Sequence, residues 1–340
     1  MSSFRVRSLI AAASLAVPLA VVGTSGSGVS ADGYHDDDAI VVANRGSGDV
    51  SVIDADTLDV TTFDLPGDAE PMYVSHDGRR DRVLVGDRAS STIVALDDET
   101  FEVVGTVAVG DGVFHQWLDP NRRQLWVVGD TSQTVSVVDA GRLEVSSTID
   151  IPADLVARGG KPHDVFVKGR FAFVSMLGLD DGSGVVLRYS TRTFEETGRI
   201  ATGADPHLYV RGGTLYVASQ GASTVTSYRT ATLDERDRTE VPNAHGIWVT
   251  RRREVLVTNI AGGGEDAVWD LDRRLRVGDV VDTAVPTPHN LVELDGHVYV
   301  THSGATADQV SVIHHDRRGF GDSTTVTVGT NPFGLAPIDR

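Results

Sequence analysis

Residues 71–112 read PMYVSHDGRRDRVLVGDRASSTIVALDDETFEVVGTVAVGDG, and this stretch decides the fold. It holds short runs of Val, Ile, Leu and Thr near 71–75, 82–86, 92–96 and 103–108, parted by turns of Gly, Asp, Arg and Ser. Runs of that length, bounded by turn residues, read as four antiparallel strands. The plan returns about once per 40–50 residues, each time opened by a turn, often a proline, and a histidine. The histidine phrase stands as Phe114-His115, Pro162-His163, Pro206-His207, Ala244-His245 and Pro288-His289. Pro71-Met72 and Pro332-Phe333 keep the frame without the imidazole. Alternation within strands (TVSVVD, DVSVID, QVSVIH) suits stacked sheets with apolar residues facing a neighbour.

The first unit, from Ala39, lacks an opening strand, and the closing segment GTNPFGLAPID is an opening strand with no unit behind it. Pairing the two closes a ring and removes the loose edges that a linear array exposes. The sequence therefore predicts an all-β fold: a seven-bladed β-propeller of four-stranded antiparallel blades over 39–340, its first blade closed by the C-terminal strand. An open β-solenoid is the competing architecture, and the split first unit argues against it.

Residues 1–31 have the form of a secretory signal: Arg5 and Arg7, an apolar run from Leu9 to Val22, and Val29-Ser30-Ala31 at the cleavage position. A retained membrane anchor is the alternative, but the run is short and carries Pro18. Residues 32–38 form an acidic lead-in. The chain has no cysteine, which excludes disulfides, thiolate nucleophiles and a lipoprotein anchor, and Arg5-Val6-Arg7 is not a twin-arginine pair. The formal charge is −18, or −20 once Arg5 and Arg7 are removed, which argues against nucleic acid and anionic lipid as partners. An extracytoplasmic monomer is expected, with a small molecule or metal ion as partner and no membrane insertion after cleavage.

In a propeller the first strand of each blade lines the central channel. His115, His163, His207, His245 and His289, separated by 38 to 48 residues, are therefore expected to converge at one channel mouth, with Met72 and Phe333 as gaps in the circle. The end of each second strand lies beside the start of the first. That adds His302 beside His289 and Met176 beside His163, and brings Asp87, Asp130 and Asn259 to the same mouth. Crowded imidazoles repel when protonated, so neutral nitrogens are expected to face inward. With thiols absent, such a site points to copper or zinc. A structural role copied from blade to blade is the competing reading, in a non-catalytic binding or interaction propeller. His76, His297, His314 and His315 read as surface residues, and Gly262-Gly263-Gly264 as a loop at the histidine-bearing mouth without the lysine of a phosphate loop.

The segments VVANRGSGDVSVIDADTLDV, VLVTNIAGGGEDAVWDLD and VYVTHSGATADQVSVI resemble the YVTN-type propeller repeat: Val-Thr-Asn, a Gly/Ser loop, a Val-rich strand and D-x-x-T. The resemblance implies a propeller and leaves the activity open. The histidine ring is similar to the propeller domain of nitrous oxide reductase, which holds a copper cluster. That family uses seven histidines and a cysteine-containing copper domain for electron entry, and this chain has neither. Gluconolactonase-type propellers hold calcium with Glu, Asn and Asp, which histidines at those positions disfavour. Streptogramin-lyase-like propellers use a channel histidine as base, a role any of the five could fill. Pyrroloquinoline quinone dehydrogenases carry blade tryptophan motifs and vicinal cysteines that are absent here.

Overall fold

The computed structural model describes residues 38–119, 121, 123–260 and 265–338. The signal segment, most of the acidic lead-in and Gly262-Gly263-Gly264 lie outside the described residues. Seven four-stranded sheets follow one another. Blade 1 joins Ala39–Asn44, Asp49–Asp54 and Val60–Asp64 to the C-terminal strand Pro332–Ile338, which pairs antiparallel with Ala39–Asn44. Blades 2 to 7 span 71–108, 113–150, 161–203, 206–240, 244–282 and 288–327. The all-β propeller and its closure by the last strand are as the repeat predicts.

Burial falls from the axis outward. First and second strands are almost wholly buried, as in Ala39–Asn44, whereas a fourth strand such as Val103–Ala108 alternates between exposed and half-buried positions. Apolar residues of neighbouring blades meet in shared cores, for example Trp126, Val137, Leu155, Val174 and Met176 between blades 3 and 4. Among the described residues helix is confined to one turn at Ala153–Val156 and a 3-10 turn at Gln220–Ala222, both in connections and both too short to leave a sequence period.

The D-x-x-T turns have a shared physical cause. Asp54 accepts the amides of Asp56 and Thr57, and Asp97 those of Glu99 and Thr100, so each aspartate closes the turn from strand three to strand four. With or without the full motif, a residue late in the corresponding turn enters the left-handed region in six blades, at Leu58, Phe101, Leu143, Phe194, Leu233 and Leu275. A bulky side chain there is unfavourable in isolation. It is tolerated because the turn directs the side chain inward, and Phe101 and Leu275 are buried.

One irregularity positions the functional region. In six blades the first strand carries an extra residue against the second: after Pro71, Val113, Pro162, Ala244 and Pro288, and in blade 1 opposite Ala43. These β-bulges fall at the histidine phrase. Such a bulge re-aims side chains and leaves two residues where one would fit. Blade 5 pairs without interruption through Pro206, His207 and Leu208.

Candidate metal centre at the channel axis

The bulges sort the phrase into two positions. The first is Met72, Phe114, His163, His245, His289 and Phe333. The second is Tyr73, His115, Asp164, Gly246, Asn290 and Gly334. His115 thus aligns with Asp164 rather than with His163, and Phe114 takes the place expected for its imidazole.

The five phrase histidines do converge. Ring centroids are 5.2 Å apart for His115–His163, 4.9 Å for His163–His207, 3.9 Å for His207–His245 and 4.5 Å for His245–His289. All five are buried. The two places expected to be gaps in the circle are filled rather than open. Met72 and Phe333 are buried in an apolar cluster with Tyr73, against which Phe114 packs. Arg45 and Arg88 lie over the Phe333 and Phe114 rings at 5.5 and 5.9 Å. The space beside the site is instead inside the channel: a cavity of about 240 Å³ lined by Tyr73, His115, Gln116, Asp164, His207 and Trp248 among others.

Hydrogen bonding divides the imidazoles into two groups. Nδ1 of His115 lies 2.9 Å from Asp164 Oδ1, and Nδ1 of His245 lies 3.1 Å from Gln220 Oε1. In both rings Nε2 is buried without a hydrogen-bond partner. His163 and His207 point Nε2 at the same Asp205 oxygen, at 3.1 and 3.5 Å. One carboxylate oxygen therefore faces two imidazoles at once and cannot fully serve both. Nδ1 of His289 is engaged by the Asn290 amide at 2.7 Å. The ligand-capable atoms of His115, His163 and His207 all lie within 4.8 Å of one another, as do those of Asp205, His207 and His245.

Protonation follows from burial and from the two carboxylates. Burial lowers His115 to about 4 even though Asp164 opposes it. Burial, then the neighbouring imidazoles, takes His289 to about 3 and His245 well below its ordinary value. Repulsion is thus secondary to desolvation. His207 departs from the expectation of neutrality: burial would lower it, but Asp205 and Asp164 together raise it. Burial alone would raise Asp205, yet His163 and His207 hold it far below the usual carboxylate range.

The remaining expected residues are used elsewhere. His302 lies opposite Pro288, as the register requires, but its ring hydrogen-bonds Pro286 O at 3.0 Å and Ser311 Oγ at 2.8 Å, away from the cluster. Met176 lies opposite Pro162 and is buried between blades 3 and 4, not against His163. Asp87 accepts the amides of Glu70 and Ala89 and the Ser90 hydroxyl. Asp130 pairs with Arg88 at 3.0 Å. Asn259 accepts from Trp269 Nε1 and donates to Glu265 O. Of the histidines read as surface residues, His315 is interior and His76 half-buried. His315 is buried between Arg252 and Asp270, and His76 holds Asp98 at 2.8 Å. His297 and His314 pair across the strands, with His314 exposed.

Sequence reasoning missed Asp164 and Asp205. Their signal was present as Pro162-His163-Asp164 and Asp205-Pro206-His207, acids adjacent to two of the phrases. Asp164 also accepts the amides of Val165 and Leu208, which fixes its carboxylate between blades 4 and 5.

No family model and no curated protein matches the chain. Solved structures do. A periplasmic gluconolactonase from Pseudomonas aeruginosa superposes with TM-score 0.72 at 16% identity, over 89% of this chain and 99% of that one. A putative 6-phosphogluconolactonase from Bacteroides fragilis gives 0.69 at 16%, over 92% and 100%. Hydrazine synthase from Kuenenia stuttgartiensis gives 0.65 at 17%, over 80% and 90%. At such identities the likeness is one of fold, and it supports the propeller without tying the chain to the YVTN repeat family or to nitrous oxide reductase.

Proposed function

We propose that the protein is an exported metal-binding propeller that holds a copper or zinc ion among His115, His163, His207 and His245, beside a channel cavity that admits a small molecule. The observation that carries this reading is the convergence of four buried imidazoles whose Nε2 atoms either face no partner, on His115 and His245, or crowd one Asp205 oxygen, on His163 and His207. A buried polar atom left unpaired costs about 1–3 kcal/mol, so the bare Nε2 atoms of His115 and His245 are a sizeable cost against a typical folding stability of about 5–15 kcal/mol. A bound cation removes that cost.

The donor set fits the ion. Neutral imidazole suits zinc and copper, and the low pKa of His115 and His245 keeps their Nε2 lone pairs free. Asp164 on His115 Nδ1 and Gln220 on His245 Nδ1 orient the rings as supporting groups do around metal-bound histidines. Imidazole–metal bonds of about 2.0–2.1 Å bring ligands around one ion within about 3.5 Å of each other, so the triad draws inward slightly on binding. His207 belongs to both ligand groupings, and it must give up its proton to bind.

A proton-transfer role without metal is less well supported. His115, paired with Asp164, is oriented like a general base. Its pKa of about 4 leaves it weakly basic near neutral pH while suiting it as a ligand. Export rests on the form of residues 1–31.

The test is metal content. The chain lacking residues 1–31, purified without a histidine tag, is loaded with zinc or copper, desalted and measured by elemental mass spectrometry. About one equivalent is expected, lost in His207→Ala with the circular dichroism spectrum unchanged. Absence of retained metal in the unmodified chain would sink the proposal.

A further inference from the structure

On the face opposite the histidines, blades 5 and 6 enclose a groove of about 620 Å³ lined by Arg211, Arg229, Arg236, Arg253, Arg273 and Arg274. Blade 5 supplies the first three, from the end of its first strand, the end of its third and the start of its fourth. Blade 6 supplies the others from its two turns on that face. Two acids share the lining, Glu235 and Asp237, and the Glu235 carboxylate is already taken by Arg238 at 2.8 Å.

Such a cluster is out of character for this chain. Acidic side chains outnumber basic ones 48 to 30, and elsewhere in the chain several guanidiniums are paired with a carboxylate. Arg45, Arg88, Arg199 and Arg276 each hold one. In the groove, Arg236 leans on the Thr214 hydroxyl and Arg211 on Tyr209. Arg229, Arg253, Arg273 and Arg274 form no side-chain hydrogen bond or ion pair among the described residues. Arg253 is moreover held at φ 71°, in the left-handed region, which sets its side chain at the groove. Guanidinium groups gathered in excess of their counter-charges, six against Glu235 and Asp237, repel one another, and their planar forks match the oxygens of phosphate, sulfate and carboxylate.

We infer that this groove binds a small multivalent oxyanion carrying two or more phosphate, sulfate or carboxylate groups. One charged group would engage the guanidiniums of a single blade, whereas arginines contributed by two blades call for a ligand charged at both ends. The groove shares Arg211 and Gly212 with the channel mouth on that face. The site therefore stands independently of the metal centre, on different residues at the other end of the channel.

The experiment is calorimetric titration of the metal-free chain lacking residues 1–31 with tripolyphosphate and, separately, citrate, at low and high salt. Either or both should bind with near-unit stoichiometry, and raising the salt should weaken binding several-fold. The two probes distinguish phosphate from carboxylate chemistry. Arg273→Ala/Arg274→Ala, in an exposed turn, should lose at least about tenfold in affinity, as should Arg253→Ala. Arg158→Ala, whose guanidinium is paired with Asp181 elsewhere, should bind as the parent does. If neither probe binds, or if the double variant binds as tightly as the parent with an unchanged circular dichroism spectrum, the inference is overturned.

Discussion

His302 shows how one imidazole serves the fold rather than the site. Both of its ring nitrogens are committed, and burial holds its pKa at about 4. In the unfolded chain it titrates near its ordinary value. Between about pH 6.5 and 4 the unfolded state therefore binds a proton that the folded state refuses, and stability falls as the pH is lowered, by about 3 kcal/mol over the window. We expect the melting temperature of the metal-free chain to fall through that range, and His302→Gln to fall less steeply. Parallel curves would show that His302 is not the group responsible. The sequence could place His302 beside His289 but not orient its ring, because Ser311 and Pro286 reach it only once strand three and the inter-blade turn are in place. Asp164 and Asp205 were hidden for a related reason: each acts on a histidine of a different blade or shares two, at contacts set by the closed ring.

At the scale of the element, the bulged first strand is the working part. The repeating phrase located it, but a bulge is a property of two strands and no spacing within one strand records it. The one-residue offset of His115, and the filling of the gap by Met72, Phe114 and Phe333, both follow from it. Gly246 sits at a tight place on the bulged strand of blade 6. A Cβ there would press into the backbone oxygen of His289 in the next blade and lie 2.9 Å from Thr258 Oγ1. The clash is with backbone, which cannot swing aside. Gly246→Ala is therefore expected to destabilise the protein by about 1–3 kcal/mol in urea unfolding and to weaken metal retention by displacing His245. Unchanged stability and metal content in that variant would refute the role given to the bulge.

At the scale of the whole molecule, the ring was the most legible feature, because an unpaired first unit and an unpaired last strand have one economical solution. Pro332–Ile338 supplies the innermost strand of blade 1 and carries Phe333 into the apolar plug. A chain ending at residue 331 exposes the Ala39–Asn44 edge and opens the plug. It should lose cooperative thermal unfolding and aggregate, as read by calorimetry and size-exclusion chromatography. A truncated chain that melts like the full one would show that closure contributes little. The central claim, that the imidazoles gathered by this ring hold a metal, is met most directly by anomalous diffraction from crystals of the zinc- or copper-loaded protein. A single strong peak is expected on the channel axis within about 2.2 Å of Nε2 of His207 and at least two of His115, His163 and His245. Loaded crystals with no peak there, or with metal only at the His297–His314 pair, would contradict it.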